Sequence, residues 1–144
     1  MNISFNKRFL FFLFICFLIY LQGIFKLPVM DRDEARFATA SKTMLIEKDF
    51  IDIKMVEEKR YKKPIGIYWT QSLMNSIFGS YPYDKISIYR LPSILGVFIS
   101  FFLIFVIIRN TENESIAFLT VFFLIFSFLT ISEIHQAKTD GLLF

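Results

Sequence analysis

The chain has 144 residues, 55% of them hydrophobic and 19% aromatic, with 20 Phe, a formal net charge of +3 and a mean hydropathy of +0.53. That composition excludes an ordinary soluble domain and places the chain among membrane proteins. The charged residues gather mostly between Asp31 and Lys63, as in a polar loop between membrane segments, and the basic ones are too dispersed for a nucleic-acid partner.

The uncharged run Phe9–Phe25 follows Lys7 and Arg8. Crossing a bilayer takes about 20 apolar residues. The run ends in Gln22-Gly-Ile-Phe-Lys-Leu-Pro28, without the small residues of a signal-peptide cleavage site. It therefore reads as a signal anchor over residues 9–27, with Lys7 and Arg8 holding the N-terminus in the cytoplasm. Its Cys16 is the sole cysteine, so no internal disulfide or multi-cysteine metal site is possible, and a packing role is expected.

Residues 28–89 read as an external loop with structure of its own. Asp31, Asp33 and Glu34 alternate with Arg32 and Arg36 where the span ends, and the acids favour a helix start there. Phe37, Ala40 (or Ser41), Met44 and Leu45 then form an apolar stripe at helical spacing. Residues 50–56 alternate apolar and polar, as in a short extended piece, and residues 57–60 form a charged turn. Residues 64–83 carry no charge but contain Pro64, Gly66, Gln71, Asn75, Gly79 and Pro82. Ile65, Trp69, Leu73 and Ile77 recur every four residues, with Gln71, Ser72, Asn75 and Ser76 as polar surface. An amphipathic helix lying in the membrane interface fits better than a span. Trp69, Tyr68, Tyr81 and Tyr83 suit the headgroup level.

Two further spans are expected at residues 91–108 and 115–132, joined by the short polar link 109–114. A fourth apolar segment starts at Gly141 and runs to Phe144, so the chain reads as a fragment of a longer membrane protein. In this topology the 109–114 hairpin is cytoplasmic, and Asp140 emerges on the side of Asp33. A true span at residues 64–83 would put Asp140 on the opposite side. His135 has no partner at ligand spacing and reads as an interfacial residue. The expected fold class is an all-α integral membrane protein: a polytopic helical bundle with interfacial amphipathic helices in its first external loop.

Three motifs follow in order: Asp33-Glu34-x-Arg36-Phe37-Ala38, Lys63-Pro64-Ile65-x-x-Tyr68-Trp69, and Arg90-Leu91-Pro92-Ser93. In this order and spacing they resemble the N-terminal part of the GT-C glycosyltransferases that use polyprenyl-phosphate sugars. These include the bacterial aminoarabinose transferases of lipid A and the protein O-mannosyltransferases. The resemblance covers nearly the whole chain, residues 1–144. It implies a multi-pass protein of the bacterial cytoplasmic membrane with its active-site loop on the periplasmic side. It also implies a polyprenyl-phosphate sugar donor, a glycolipid or protein acceptor, and contact with membrane lipids.

The resemblance places Asp33 at the catalytic centre, with Glu34 beside it and Asp140 as a second carboxylate. For a hydroxyl acceptor Asp33 is a general base; for an ionised phosphate acceptor it positions or polarises the reactants. Both roles stay open. The leaving phosphate needs cations and hydrogen-bond donors where negative charge grows. Lys63, Arg36 and Arg90 are the candidates, with Lys62 and Tyr68 as further substrate contacts. Metal-binding relatives carry Glu where this chain has Lys62, so no divalent metal or other cofactor is expected here. The alternative to an enzyme is a non-catalytic membrane fragment or a transporter-like protein.

Overall fold

A computed structural model describes residues 6–55, 58–59 and 63–143. Helix α1 (Lys7–Lys26) begins at Asn6, whose side chain accepts from the backbone N–H groups of Arg8 and Phe9. After the turn at 27–31 comes α2 (Arg32–Glu47), with Asp33 and Glu34 in its first turn. Two short antiparallel strands, β1 (Lys54–Met55) and β2 (Glu58–Lys59), lead to α3 (Gly66–Phe78). Within the described residues only β1 falls in the extended piece expected at 50–56, while β2 falls in the expected charged turn at 57–60. The long α4 (Ile86–Thr111) is followed by α5 (Glu114–Ile125), α6 (Phe128–Ile134) and the short α7 (Thr139–Leu143).

Among the described residues the chain is all-α apart from that strand pair, and α1 and α4 are each long and apolar enough to cross a membrane. The expected span at 115–132 takes a different form. It divides into α5 and α6, bent by 62° at the break. Ser127 causes this locally: its hydroxyl accepts from the Thr130 N–H and caps a new helix inside an apolar run. A break also strips carbonyls of their helical donors. Tyr20 of α1 supplies one, its hydroxyl donating to the Ile125 carbonyl at 2.7 Å.

The main core lies where α1, α4 and α5 meet, around Phe9, Ile24, Val97, Phe101, Phe105, Ala117, Val121 and Ile125. Phe9 and Phe105 stack with ring centroids 3.6 Å apart, and Cys16 is buried in this core. Gly23 lets α1 approach the His135 ring, which lies where a Cβ would stand. His135 is thus a packing residue against α1, half-buried, with Nδ1 2.7 Å from the Ile131 carbonyl.

A second, smaller core joins α2 to α3 through Phe37, Ala40, Met44, Ile53, Ile67 and Tyr68. Here the facing of α3 is the reverse of the expected polar surface. Gln71, Ser72 and Asn75 point inward and are buried, whereas Trp69, Leu73 and Ile77 are at least half exposed. Buried polar groups need partners. The Ser41 hydroxyl donates to Gln71 Oε1 at 2.7 Å, and the Ser72 hydroxyl donates to the Ser41 carbonyl at 3.2 Å. The apolar stripe that periodicity identifies is real, but it faces away from the protein. At 13 residues α3 is about 20 Å long, short of the ~30 Å hydrocarbon core.

Candidate functional site

The site is built around the first turn of α2. Glu34 is fully buried there, and both its oxygens are occupied. Arg90 of α4 donates Nε–H to Oε1 at 2.7 Å and an Nη2–H to Oε2 at 3.0 Å. The Met30 N–H reaches Oε2 at 3.0 Å, and the Ala137 N–H reaches Oε1 at 2.9 Å. Burial pushes the Glu34 carboxyl up, but these donors outweigh it and hold the group below its ordinary value.

Arg90 is equally enclosed. Its remaining donors go to the carbonyls of Ile24 (3.1 Å), Leu27 (2.8 Å) and Pro28 (2.6 Å), at the C-terminal end of α1. A guanidinium has five N–H groups. All five are used, so Arg90 has none left for a donor phosphate. The motif arginine holds the fold, and the expectation that it contacts phosphate is corrected accordingly. Glu34 has the same character: a carboxylate with no exposed surface reaches no substrate.

Asp33, one residue earlier on the same turn, keeps its side chain half exposed. It pairs with Arg36 at 3.0 Å, one helical turn on. Asp31 pairs with Lys138 at 2.5 Å. Thus the residues flanking Asp33 bond to the residues just before Asp140: Asp31 to Lys138, and Glu34 to Ala137. The 136–138 corner is fixed from two more directions. Gln71 of α3 donates to the Ala137 carbonyl at 3.2 Å, and the Ser93 hydroxyl of α4 donates to the Lys138 carbonyl at 3.3 Å. Asp140 follows at the start of α7, exposed, accepting from the Thr139 hydroxyl. Gly141 lets α7 sit against α4, since a Cβ there would stand 2.8 Å from Ser93 Cβ. The fold therefore brings Asp33, Arg36 and Asp140 to one end of the molecule, around the Asp31–Lys138 pair.

The remaining candidates are placed differently. Lys63 is exposed ahead of α3, and Lys62 lies outside the described residues. Tyr68 is fully buried against Phe37 with a centroid separation of 5.5 Å, so its ring is enclosed by protein. Its hydroxyl has no hydrogen-bond partner among the described residues. Trp69 is half exposed and donates from its indole N–H to the Phe50 carbonyl at 2.7 Å.

Sequence reasoning overlooked Lys138. Burial pulls its ammonium down, but Asp31 outweighs this and holds it above the ordinary value. In return Lys138 lowers the Asp31 carboxyl, chiefly through their hydrogen bond. The available signal was a cation two residues before the motif carboxylate Asp140.

The sequence model of the family described as dolichyl-phosphate-mannose-protein mannosyltransferase matches residues 62–144, more than half of the chain. The chain belongs to this mannosyltransferase family. Two curated relatives are similar to it. One is an undecaprenyl phosphate-alpha-4-amino-4-deoxy-L-arabinose arabinosyl transferase 2 of Proteus mirabilis (strain HI4320), 27% identical over 127 residues, covering 88% of this chain and 22% of the relative. The other is an undecaprenyl phosphate-alpha-4-amino-4-deoxy-L-arabinose arabinosyl transferase of Photorhabdus laumondii, 32% identical over 98 residues, covering 67% of this chain and 17% of the relative. The chain thus spans about a fifth of the length of the curated relatives it matches. No solved structure matches it. The family assignment agrees with the resemblance carried by the three motifs. Of these, the second and third lie inside the matched region, and the first precedes it.

Proposed function

We propose that this chain forms the first part of a membrane glycosyltransferase that takes a sugar from a polyprenyl-phosphate donor at the outer face of a bacterial cytoplasmic membrane. The supporting observation is the pairing of Asp31 with Lys138 and of Glu34 with Ala137. It gathers two exposed carboxylates, Asp33 and Asp140, at one end of the molecule, as two lipid-surface reactants require. The names of the relatives supply the donor class, and a glycolipid or protein is the acceptor.

In this reading the bond between the anomeric carbon and the phosphate oxygen breaks, and its electron pair leaves with the phosphate. A new bond forms from the anomeric carbon to the acceptor oxygen. With a hydroxyl acceptor, Asp33 takes the proton; with an ionised phosphate acceptor, Asp33 orients the reactants. Asp140 contacts the sugar, Arg36 steers Asp33, and Lys63 adds positive charge at the lip of α3. No metal enters the mechanism, because Lys62 stands where metal-binding relatives carry a carboxylate.

The test is sugar transfer by the intact protein in membranes from an undecaprenyl-phosphate-linked donor. Asp33→Asn and Asp140→Asn are each expected to abolish it while leaving membrane insertion unchanged. Normal transfer by both variants rules the reading out. Cysteines placed at Asp52 and Asn113 are expected to label from opposite sides of the membrane; labelling from one side refutes the orientation.

A further inference from the structure

The donor phosphate needs a cation, and Arg90 has no N–H to give it. We propose that Lys138 is the residue that meets the lipid phosphate, with Asp31 holding its ammonium in place until the phosphate arrives. The inference rests on the polyprenyl-phosphate reading above and assigns a new donor-binding residue within it.

Three features favour Lys138. Its backbone does not wander: the Ala137 N–H, the Ala137 carbonyl and the Lys138 carbonyl are each bonded, to Glu34, Gln71 and Ser93. A charge delivered from a fixed frame needs little reorganisation when negative charge develops. Its side chain is 17% exposed, whereas the Arg36 side chain is 45% exposed. A partly desolvated cation acts on an anion more strongly than one in open water. Finally, an ammonium has three donors, and Asp31 is its single ion-pair partner among the described residues. Capacity for phosphate oxygens therefore remains, two residues from Asp140 and beside the turn that carries Asp33.

The partner carboxylate is what makes the idea testable. If Lys138 serves only to latch the 136–138 corner to Asp31, removing either partner does the same damage. If it binds phosphate, removing the lysine is far worse than removing the aspartate. The experiment measures retention of radiolabelled undecaprenyl phosphate by the purified intact protein in detergent micelles, alongside transfer kinetics. One charge-assisted contact predicts that Lys138→Gln weakens binding roughly tenfold or more. Lys138→Arg is expected to keep most of the affinity, and Asp31→Asn to bind as well as wild type or better.

Wild-type affinity in Lys138→Gln overturns the proposal. So does a loss in Asp31→Asn equal to that in Lys138→Gln. Where Lys138→Gln accumulates poorly, the contrast between Lys138→Arg and Asp31→Asn decides: affinity lost in the arginine variant and in the asparagine variant alike means a latch. Failure of the wild-type protein to bind undecaprenyl phosphate instead removes the donor reading on which the proposal stands.

Discussion

Glu34 and Arg90 meet as a two-pronged ion pair sealed from water, 56 residues apart in the chain. The pair ties the first turn of α2 to α4, and through three carbonyls and the Ala137 N–H it also fixes the end of α1 and the corner before α7. Removing one partner of a buried pair strands the other charge, at a cost of about 3–5 kcal/mol. Arg90→Gln and Glu34→Gln are therefore expected to lower the denaturation midpoint of the protein in micelles sharply. Arg90→Lys does little better, since an ammonium does not reproduce the fork. An unchanged midpoint contradicts the clamp.

The same pair sets an acid limit. The folded Glu34 carboxyl lies below its ordinary value. Its stabilisation is thus complete above the unfolded value of about 4.3 and is lost as pH falls through the lower folded value. Between pH 5 and pH 3 the wild-type protein should lose more stability than Glu34→Gln, whose side chain does not titrate. Equal acid slopes in the two proteins argue against the linkage.

Asp33 behaves in the opposite way. Its pair with Arg36 is half exposed, and pairs of that kind contribute roughly 0–1 kcal/mol. Asp33→Asn should leave stability nearly untouched. If Asp33 is a general base, transfer falls by about 10²–10⁴-fold. The two measurements together separate a reacting carboxylate from a structural one.

Gly23 and His135 test the seam between α1 and α6. A Cβ at position 23 runs into the imidazole ring, which the Ile131 carbonyl holds in place. Overpacking of this sort costs about 1–3 kcal/mol. Gly23→Ala should destabilise the protein, and adding His135→Ala should recover part of the loss. Additive effects in the double-mutant cycle mean the two residues do not share this contact.

Trp69 is the one tryptophan of the chain, so its fluorescence reports on α3 alone. With Leu73 and Ile77 beside it and polar residues turned inward, the helix presents its apolar stripe outward. Lipids brominated high on the acyl chain should quench Trp69 in reconstituted vesicles, while aqueous iodide should quench it weakly. Strong iodide quenching means the stripe is not in contact with lipid.

Periodicity and composition determined much of this protein. The apolar runs after Lys7 and Arg8 and after Arg90 dictate α1 and α4, because a long uncharged stretch has few alternatives to a helix. The Phe37–Met44 spacing dictates the buried face of α2, and the three motifs point to the family. Only the tertiary structure decided which charged residues are free to act. Glu34, Arg90 and Asp33 look alike in the sequence, as motif charges at a membrane edge. Burial separates them, since long-range partners consume every donor of Arg90 and both oxygens of Glu34, while Asp33 stays at the surface. The facing of α3 follows the same logic. An amphipathic pattern fixes two faces but not which one meets the protein, and hydrogen bonds from Ser41 and to Ala137 turn Gln71 inward. The pairing of Lys138 with Asp31, 107 positions away by their numbering, is set by folding alone.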